Sequence, residues 1–301
     1  MIDFQGWINL YKPKNISSFK AINKIKKKFN LKKIGHGGTL DPLAEGILPI
    51  ALGKTTKLIS YINKDIKIYK FTVKWGTQTS TDDSEGEILF KSNVIPRIKE
   101  INEKIRKFQG HLKQVPPKVS AINIRGTRAY KLVRENQKFD MASKDVFVNK
   151  LEITNHEVDK TSFKIECGKG FYIRSLARDL GIELNTFGHI LTLERTKVGK
   201  FSKESSIFLD DLLKIVQRQE LINCIKPSIA MLDDILAYEI GDQKDLINLS
   251  FGRSINIDVS NLNNYSSSFL DKKTIFLSNK GDIVSIGKLV GNLFKPHKIL
   301  I

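Results

Sequence analysis

Residues 35–53 read GHGGTLDPLAEGILPIALG, and the rest of the chain is best read outward from them. One aspartate, Asp41, stands between glycines and an apolar run. Gly35, Gly37 and Gly38 admit backbone angles and close approaches that a side chain forbids. Pro42 fixes its own φ, removes a donor and pushes Asp41 towards an extended conformation. From Gly46 to Gly53 the run is apolar enough for a buried strand, with a break expected at Pro49. A carboxylate is therefore presented on a stiff loop that feeds the core. Two roles stay open on this ground: Asp41 as a reacting group, or Asp41 as a turn cap, the commoner use of an Asp-Pro pair.

The 301 residues are enough for one large domain and a small one. Lys+Arg 50 against Asp+Glu 32 gives a formal net charge of +18. A polyanion is the first partner this suggests, although a composition rich in Lys, Ile and Asn also raises the charge without any binding role. Cys167 and Cys224 offer neither a disulfide framework nor metal-ligand spacing, which fits a reducing cytoplasm. The start, MIDFQGWINL, has no basic segment before an apolar core and does not read as a signal peptide. No apolar run approaches the roughly 18 residues of a membrane helix.

Gly6–Pro13 reads as a short strand, after which Ser17 or Ser18 caps a helix with Ile22, Ile25 and Phe29 on one face. The Lys24–Lys33 cluster on its other side suits a phosphate backbone or plain solvent. Lys54–Tyr61 reads as a helical turn. Tyr69, Phe71, Val73 and Trp75 alternate with Lys70, Thr72 and Lys74, a strand with one wet face; Tyr69 begins the apolar face and reads as a core tyrosine. The polar run 76–86 reads as a surface loop, where Asp82 and Asp83 lack a ligand set for a metal. Ile98, Ile101, Ile105 and Phe108 give an amphipathic helix ending at Gly110. Residues 114–134, with Lys118, Arg125, Arg128, Lys131 and Arg134, read as a basic loop ordered by a partner. Phe163–Cys167 is a strand and Ser175–Leu184 a helix. From about Ala237 the texture is of short strands, with turns at Gly252, Asn263-Asn264, Lys280-Gly281 and Gly287. Local sequence alone would pair Arg174 with Asp179 or solvent.

GHGGTLDPLAEGILPIALGKTTKL resembles the signature GHxGxLDPxAxGxLPxxxGxATK of the TruB-type pseudouridine synthases, with Thr55 in place of the usual alanine. The start, GWINLYKPKNISS, is similar to that family's first strand and helix. The run 76–86 resembles GxxTDTxDxxG, with Ser80 where an aspartate is usual, and QVPPKVSA…GTRAY resembles Q-x-P-P-x-Y-S-A…G-x-x-A-Y, with Val119 for the tyrosine. CGKGFYIRSLARDLG is similar to the second signature C-S-K-G-T-Y-I-R-x-L-x-x-D-L-G, with Gly168 for serine and Phe171 for threonine. LTLERT resembles the L-x-R-T strand, and the tail 275–296 loosely resembles a PUA-type RNA-binding module. The resemblance is close over residues 6–200 and loose beyond.

The resemblance implies an enzyme that turns the T-loop uridine at position 55 of transfer RNA into pseudouridine. Asp41 would be the catalytic aspartate, Tyr69 the ring stacked on the target base, and Arg174 the partner of Asp41, through a bidentate contact. His36 would enter the T-loop and fill the gap left by the flipped base. Leu193 would form a wall of the uracil pocket, with Tyr172 and Asp83 also on the substrate side. The reaction breaks an N–C glycosidic bond, turns the uracil and rejoins it through carbon, so no cofactor and no metal are expected. Transfer RNA is the expected partner of a monomer in the cytoplasm, with no obligatory protein partner and no membrane. Two other readings stand beside it: a noncatalytic RNA-binding or RNA-folding protein on the same scaffold, and a glycoside hydrolase using Asp41 and Glu45. The expected fold is α/β (α+β): a mixed, largely antiparallel central sheet flanked by helices, plus a small C-terminal β-rich PUA-like domain. The expected division is 1–236, catalytic, and 237–301, RNA-binding.

Overall fold

The computed structural model describes residues 4–62, 66–232, 236–259 and 274–301. Among these, the largest unit is an eleven-stranded sheet. Its path runs through Ile207–Phe208, Gly6–Lys12, Glu45–Leu52, Gly188–Val198, Lys67–Trp75, Lys160–Cys167, Lys144–Glu157 and Gly110–Gln114. Gly6–Lys12 with Ile207–Phe208, and Glu45–Leu52 with Gly188–Val198, run parallel, while the other pairings are antiparallel. The sheet is mixed and largely antiparallel, as expected.

Period-two alternation explains why two strands are buried almost throughout. In Gly6–Lys12, Ile8 and Leu10 enter one core while Trp7 and Tyr11 enter another. In Glu45–Leu52, Leu48, Ile50 and Leu52 face the first core, Ile47 and Ala51 the second. The first core is roofed by helices Ser18–Lys28, Ile98–Ile105 and Ile173–Glu183, which contribute Ile22, Ile25, Ile101, Ile105, Leu176 and Leu180. The second is closed by Phe276, Ile283 and Ile286 of a smaller, five-stranded C-terminal sheet, and by Leu300 just past its last strand. Trp7 fastens this face, donating its indole N–H to the Ser228 carbonyl at 2.9 Å. A strand buried on both faces has no wet side to alternate with.

Several local expectations need correction. Glu45–Leu52 is one continuous strand through Pro49. The carbonyl of Pro49 accepts from Gly37 N at 2.8 Å, so its missing donor faces the same edge, just past the end of the short strand Ile34–His36. No ladder bond to Gly6–Lys12 is lost. The run 76–86 is no simple surface loop: Thr77–Thr79 pairs with Ile88–Lys91, and Thr79, Asp82 and Asp83 are buried. The basic segment carries its own structure, a pairing of Asn123–Ile124 with Thr127–Arg128 and a helix Ala129–Arg134. The helix expected at Ser175 begins at Ile173 and so takes in Arg174. Helix Gln243–Ser250, capped by Asp242, interrupts what reads as strands alone. Gly287 lies within strand Asp282–Val290, where a Cβ would overlap the Lys295 carbonyl. The turn expected at Asn263-Asn264 lies outside the described residues.

Candidate active site

The Asp41 loop is held by its main-chain oxygens. Ser18, in the first turn of helix Ser18–Lys28, exchanges two bonds with Leu40: Leu40 N donates to its Oγ at 2.8 Å, and the Oγ donates to Leu40 O at 2.9 Å. Lys12, fully buried at the end of its strand, donates to the carbonyls of Pro13, Ile16 and Ala44 at 2.8, 2.7 and 2.5 Å. Three acceptors match the three protons of an ammonium group. Burial pushes the Lys12 pKa down to about 8, and the charge of Asp41 opposes that shift. Arg195 donates to the carbonyls of Ile47, Gly38 and Thr39 at 2.7, 3.0 and 3.4 Å. Gly46, at φ 113°, is where the Arg195 main chain comes closest; any Cβ there would overlap the Arg195 carbonyl. The turn itself is main-chain, Ala44 N donating to Asp41 O at 3.1 Å.

The Asp41 side chain is turned to another partner. Arg174 Nε lies 2.9 Å from Asp41 Oδ2 and 3.6 Å from Asp83 Oδ2. Its terminal nitrogens donate to the carbonyls of Thr81 and Val119, each at 3.0 Å. The contact with Asp41 is therefore through one nitrogen rather than bidentate, because both terminal nitrogens are engaged by main chain. Asp83 in turn accepts from the Thr81 hydroxyl at 2.5 Å and from Glu85 N at 3.1 Å. The Arg174 and Asp83 side chains are 6% and 4% exposed, whereas Asp41 is 34% exposed. The carboxylate with access is the one on the loop. Asp179 has a different partner, Arg178, at 2.8 Å, and Arg178 also meets Asp82 at 3.4 Å.

Asp41 and Arg174 line a cavity of about 370 Å³. Tyr69, Tyr172 and Leu193 supply its apolar and aromatic walls. Tyr69 pairs in register with Arg195, and Leu193, two residues before Arg195, faces the same side. Burial raises the pKa of the Tyr69 phenol, against the charge of Arg195, so the hydroxyl keeps its proton. Burial and the charge of Asp41 likewise raise that of Tyr172. Around the same space stand five cations, Lys67, Lys144, Lys169, Arg174 and Arg195, against the single carboxylate of Asp41. Such a cavity attracts an anion with apolar parts.

The comparisons with known proteins identify the family. Residues 26–173 match the TruB family pseudouridylate synthase N-terminal domain, and residues 174–233 match the tRNA pseudouridylate synthase B C-terminal domain. A tRNA pseudouridine synthase B of Ehrlichia ruminantium (strain Gardel) is 40% identical over 297 residues, 98% of either chain. The chain belongs to the TruB family. A further TruB-family relative, the tRNA pseudouridine synthase B of Wolbachia pipientis subsp. Culex pipiens (strain wPip), is 49% identical over 211 residues, 69% of this chain and 60% of the relative. A chain in the crystal structure of a Cbf5-Nop10-Gar1 complex superposes with TM-score 0.73 at 23% identity, covering 98% of this chain and 85% of that one. At that identity the likeness is one of fold.

Of the residues singled out from the TruB-family resemblance, Asp41, Tyr69, Tyr172, Arg174 and Leu193 share the cavity. Asp83 stands behind it, against Arg174. His36 lies at the end of strand Ile34–His36, outside the lining. Burial and the charge of Arg195 lower the pKa of its imidazole, against a contact with the Gly38 main chain. Ser80 is exposed and accepts from Glu87 N at 3.1 Å, a turn-closing role. Sequence reasoning gave no role at the site to Lys12, Ser18 or Arg195. All three are polar residues inside or beside apolar segments, and that misfit was the available signal.

Proposed function

We propose that this enzyme converts the uridine at position 55 in the T-loop of transfer RNA to pseudouridine, with Asp41 as the catalytic residue. The observation that carries the reading is the Asp41–Arg174 pair at 2.9 Å, set beside Tyr69 and Leu193 in one cation-rich cavity. The target base leaves its stack and enters the cavity, at a cost of a few kcal/mol. Tyr69 supplies a ring for stacking, which offsets roughly 1–3 kcal/mol of that cost. His36, at the end of strand Ile34–His36 beside the Asp41 loop, is suited to fill the vacated place. Asp41 then acts on the glycosidic carbon or the base, held in orientation by Arg174, whose own charge is shared with buried Asp83. Atoms balance within the nucleotide, so neither cofactor nor metal is needed. The natural relatives' names, tRNA pseudouridine synthase B, support transfer RNA as substrate, and the +18 charge fits it. Among the described residues no helix is long and apolar enough to cross a membrane. We read the protein as acting in the cytoplasm as a single chain.

The test is incubation of the purified protein with unmodified transfer RNA transcript, followed by mapping of pseudouridine along the strand. One new pseudouridine, in the T-loop, is the expected result. Its absence, or modification confined to another arm, would overturn the reading.

A further inference from the structure

One wall of the cavity comes from the basic segment, at Ser120 and Ala121. The main chain of Ser120 is fully engaged: its N donates to Lys118 O at 3.1 Å, and its carbonyl accepts from Tyr130 N at 3.0 Å. The preceding carbonyl, of Val119, is the one that Arg174 holds. The segment is thus fixed at this point, next to the reactive pair. Yet the Ser120 hydroxyl, on a residue only 6% exposed, has no hydrogen-bond partner among the described residues. Buried polar groups are otherwise almost always satisfied, and one that is not needs a reason. Rotation about the single side-chain torsion of serine redirects its hydroxyl without moving the main chain.

Lys144 and Lys169 line the same cavity, and both are exposed, at its mouth rather than its floor. Lys144 opens the strand paired with Gly110–Gln114, which leads into the Ser120 segment. Lys169 lies beside Gly170, where an added side-chain carbon would meet nothing within 4 Å. Uracil is uncharged, and its faces are already served by Tyr69 and Leu193. The part of a flipped nucleotide left at the mouth is its phosphate linkage, which wants cations and donors.

We propose that Ser120, Lys144 and Lys169 form a phosphate subsite that grips the backbone of the flipped nucleotide, with the Ser120 hydroxyl donating to a phosphate oxygen. The proposal rests on the reading that this cavity receives a nucleotide of RNA. It explains why Ser120 is ordered but unpartnered: its acceptor arrives with the substrate.

The test measures affinity, not turnover, on a T-arm stem–loop RNA made in two forms. One carries ordinary phosphates; in the other the linkages flanking the target uridine are uncharged methylphosphonates. Wild type should bind the neutral form roughly ten- to a hundredfold more weakly. Ser120→Ala, Lys144→Gln and Lys169→Gln should each weaken binding of the ordinary form, but add little to the loss already present in the neutral form. Each lysine change should also lower the salt slope of binding by about 0.7. Losses of equal size on both RNAs, or none on either, would overturn the subsite. Should Ser120→Ala fail to fold, the two exposed lysines carry the same comparison. Tight binding without isomerisation would sink the functional reading while leaving this test intact; no binding by wild type would sink both.

Discussion

Asp41→Asn separates a reacting carboxylate from a turn residue, because asparagine serves a turn almost as well. The structure sets the expected size of each effect. The main-chain turn, Ala44 N to Asp41 O, is untouched by the change. What is lost is one charge-assisted contact, Arg174 Nε to Oδ2 at 2.9 Å, on a carboxylate that is 34% exposed. Arg174 is not left alone in the interior, since Asp83 remains 3.6 Å away and two carbonyls stay bound. The loss of stability should therefore be about 1–2 kcal/mol, a shift of Tm on the order of 2–5 °C. Activity should fall far more, at least about 10³-fold in a single-turnover assay with enzyme in excess, as when a reacting group is removed. Arg174→Ala should cost more stability, about 3–5 kcal/mol, because it strands buried Asp83 and frees two carbonyls. In the double variant the second change should add little to the loss of rate, since the pair acts as one unit. Tm, transfer RNA affinity and pseudouridine yield should be measured on all three proteins. A folded Asp41→Asn protein that still isomerises uridine at an appreciable rate would refute the catalytic assignment.

Two further outcomes are expected. Tyr69→Phe keeps the ring and should keep RNA affinity within a few-fold, with any deficit in kcat, while Tyr69→Ala should lose roughly 1–3 kcal/mol of base stacking as well; a Phe variant with weak binding but normal turnover would contradict this. For Lys12 the folded pKa is depressed, from 10.5 to about 8, so between those values the unfolded chain holds the extra proton. Stability from this group therefore rises with pH across that window, by at most about 3 kcal/mol at about 1.36 kcal/mol per unit. Denaturant titrations of wild type and Lys12→Met from pH 8 to 10 should show the steeper upward slope in wild type, and an equal or lower slope would reject the buried-ammonium account.

What was legible in the sequence had local causes. Tyr69–Trp75 announced itself because one face is wet, so the apolar and polar residues alternate. The serine pair Ser17-Ser18 announced the first helix because an N-cap is a local bond; Ser17 makes it, accepting from Lys20 N at 3.2 Å. Asp41 and Arg174 were found only through long motifs, since nothing local says that a loop carboxylate will meet a helix-start arginine. The misjudged elements share the opposite trait: their meaning lies across the fold. Pro49 breaks a strand only if its lost donor faced a partner, and it faces past the end of Ile34–His36. Residues 76–86 look like surface because they are polar, yet Asp82 and Asp83 are buried against arginines of a distant helix. Gly287 looks like a turn, but its small size serves contact with the Lys295 main chain.

Lys12, Ser18 and Arg195 show how the Asp41 loop acquires one shape before any RNA arrives. A loop rich in glycine has much backbone freedom to lose, and a proline alone removes little of it. Here the carbonyls of Gly38, Thr39, Leu40, Ala44 and Ile47 are all taken by side chains from three other elements. Two of the three donors are buried cations, which would be costly in an apolar interior unless such dipoles surrounded them. The loop therefore stabilises the cations, and the cations fix the loop. Asp41 emerges from this arrangement as the acidic group of the cavity, facing cations on the floor and at the mouth. A phosphate backbone entering there meets positive charge first at the rim, with the carboxylate kept apart by its pairing to Arg174. Attraction for the polyanion and the presence of an anionic reacting group would otherwise conflict, and the Arg174–Asp41 contact is where that conflict is settled.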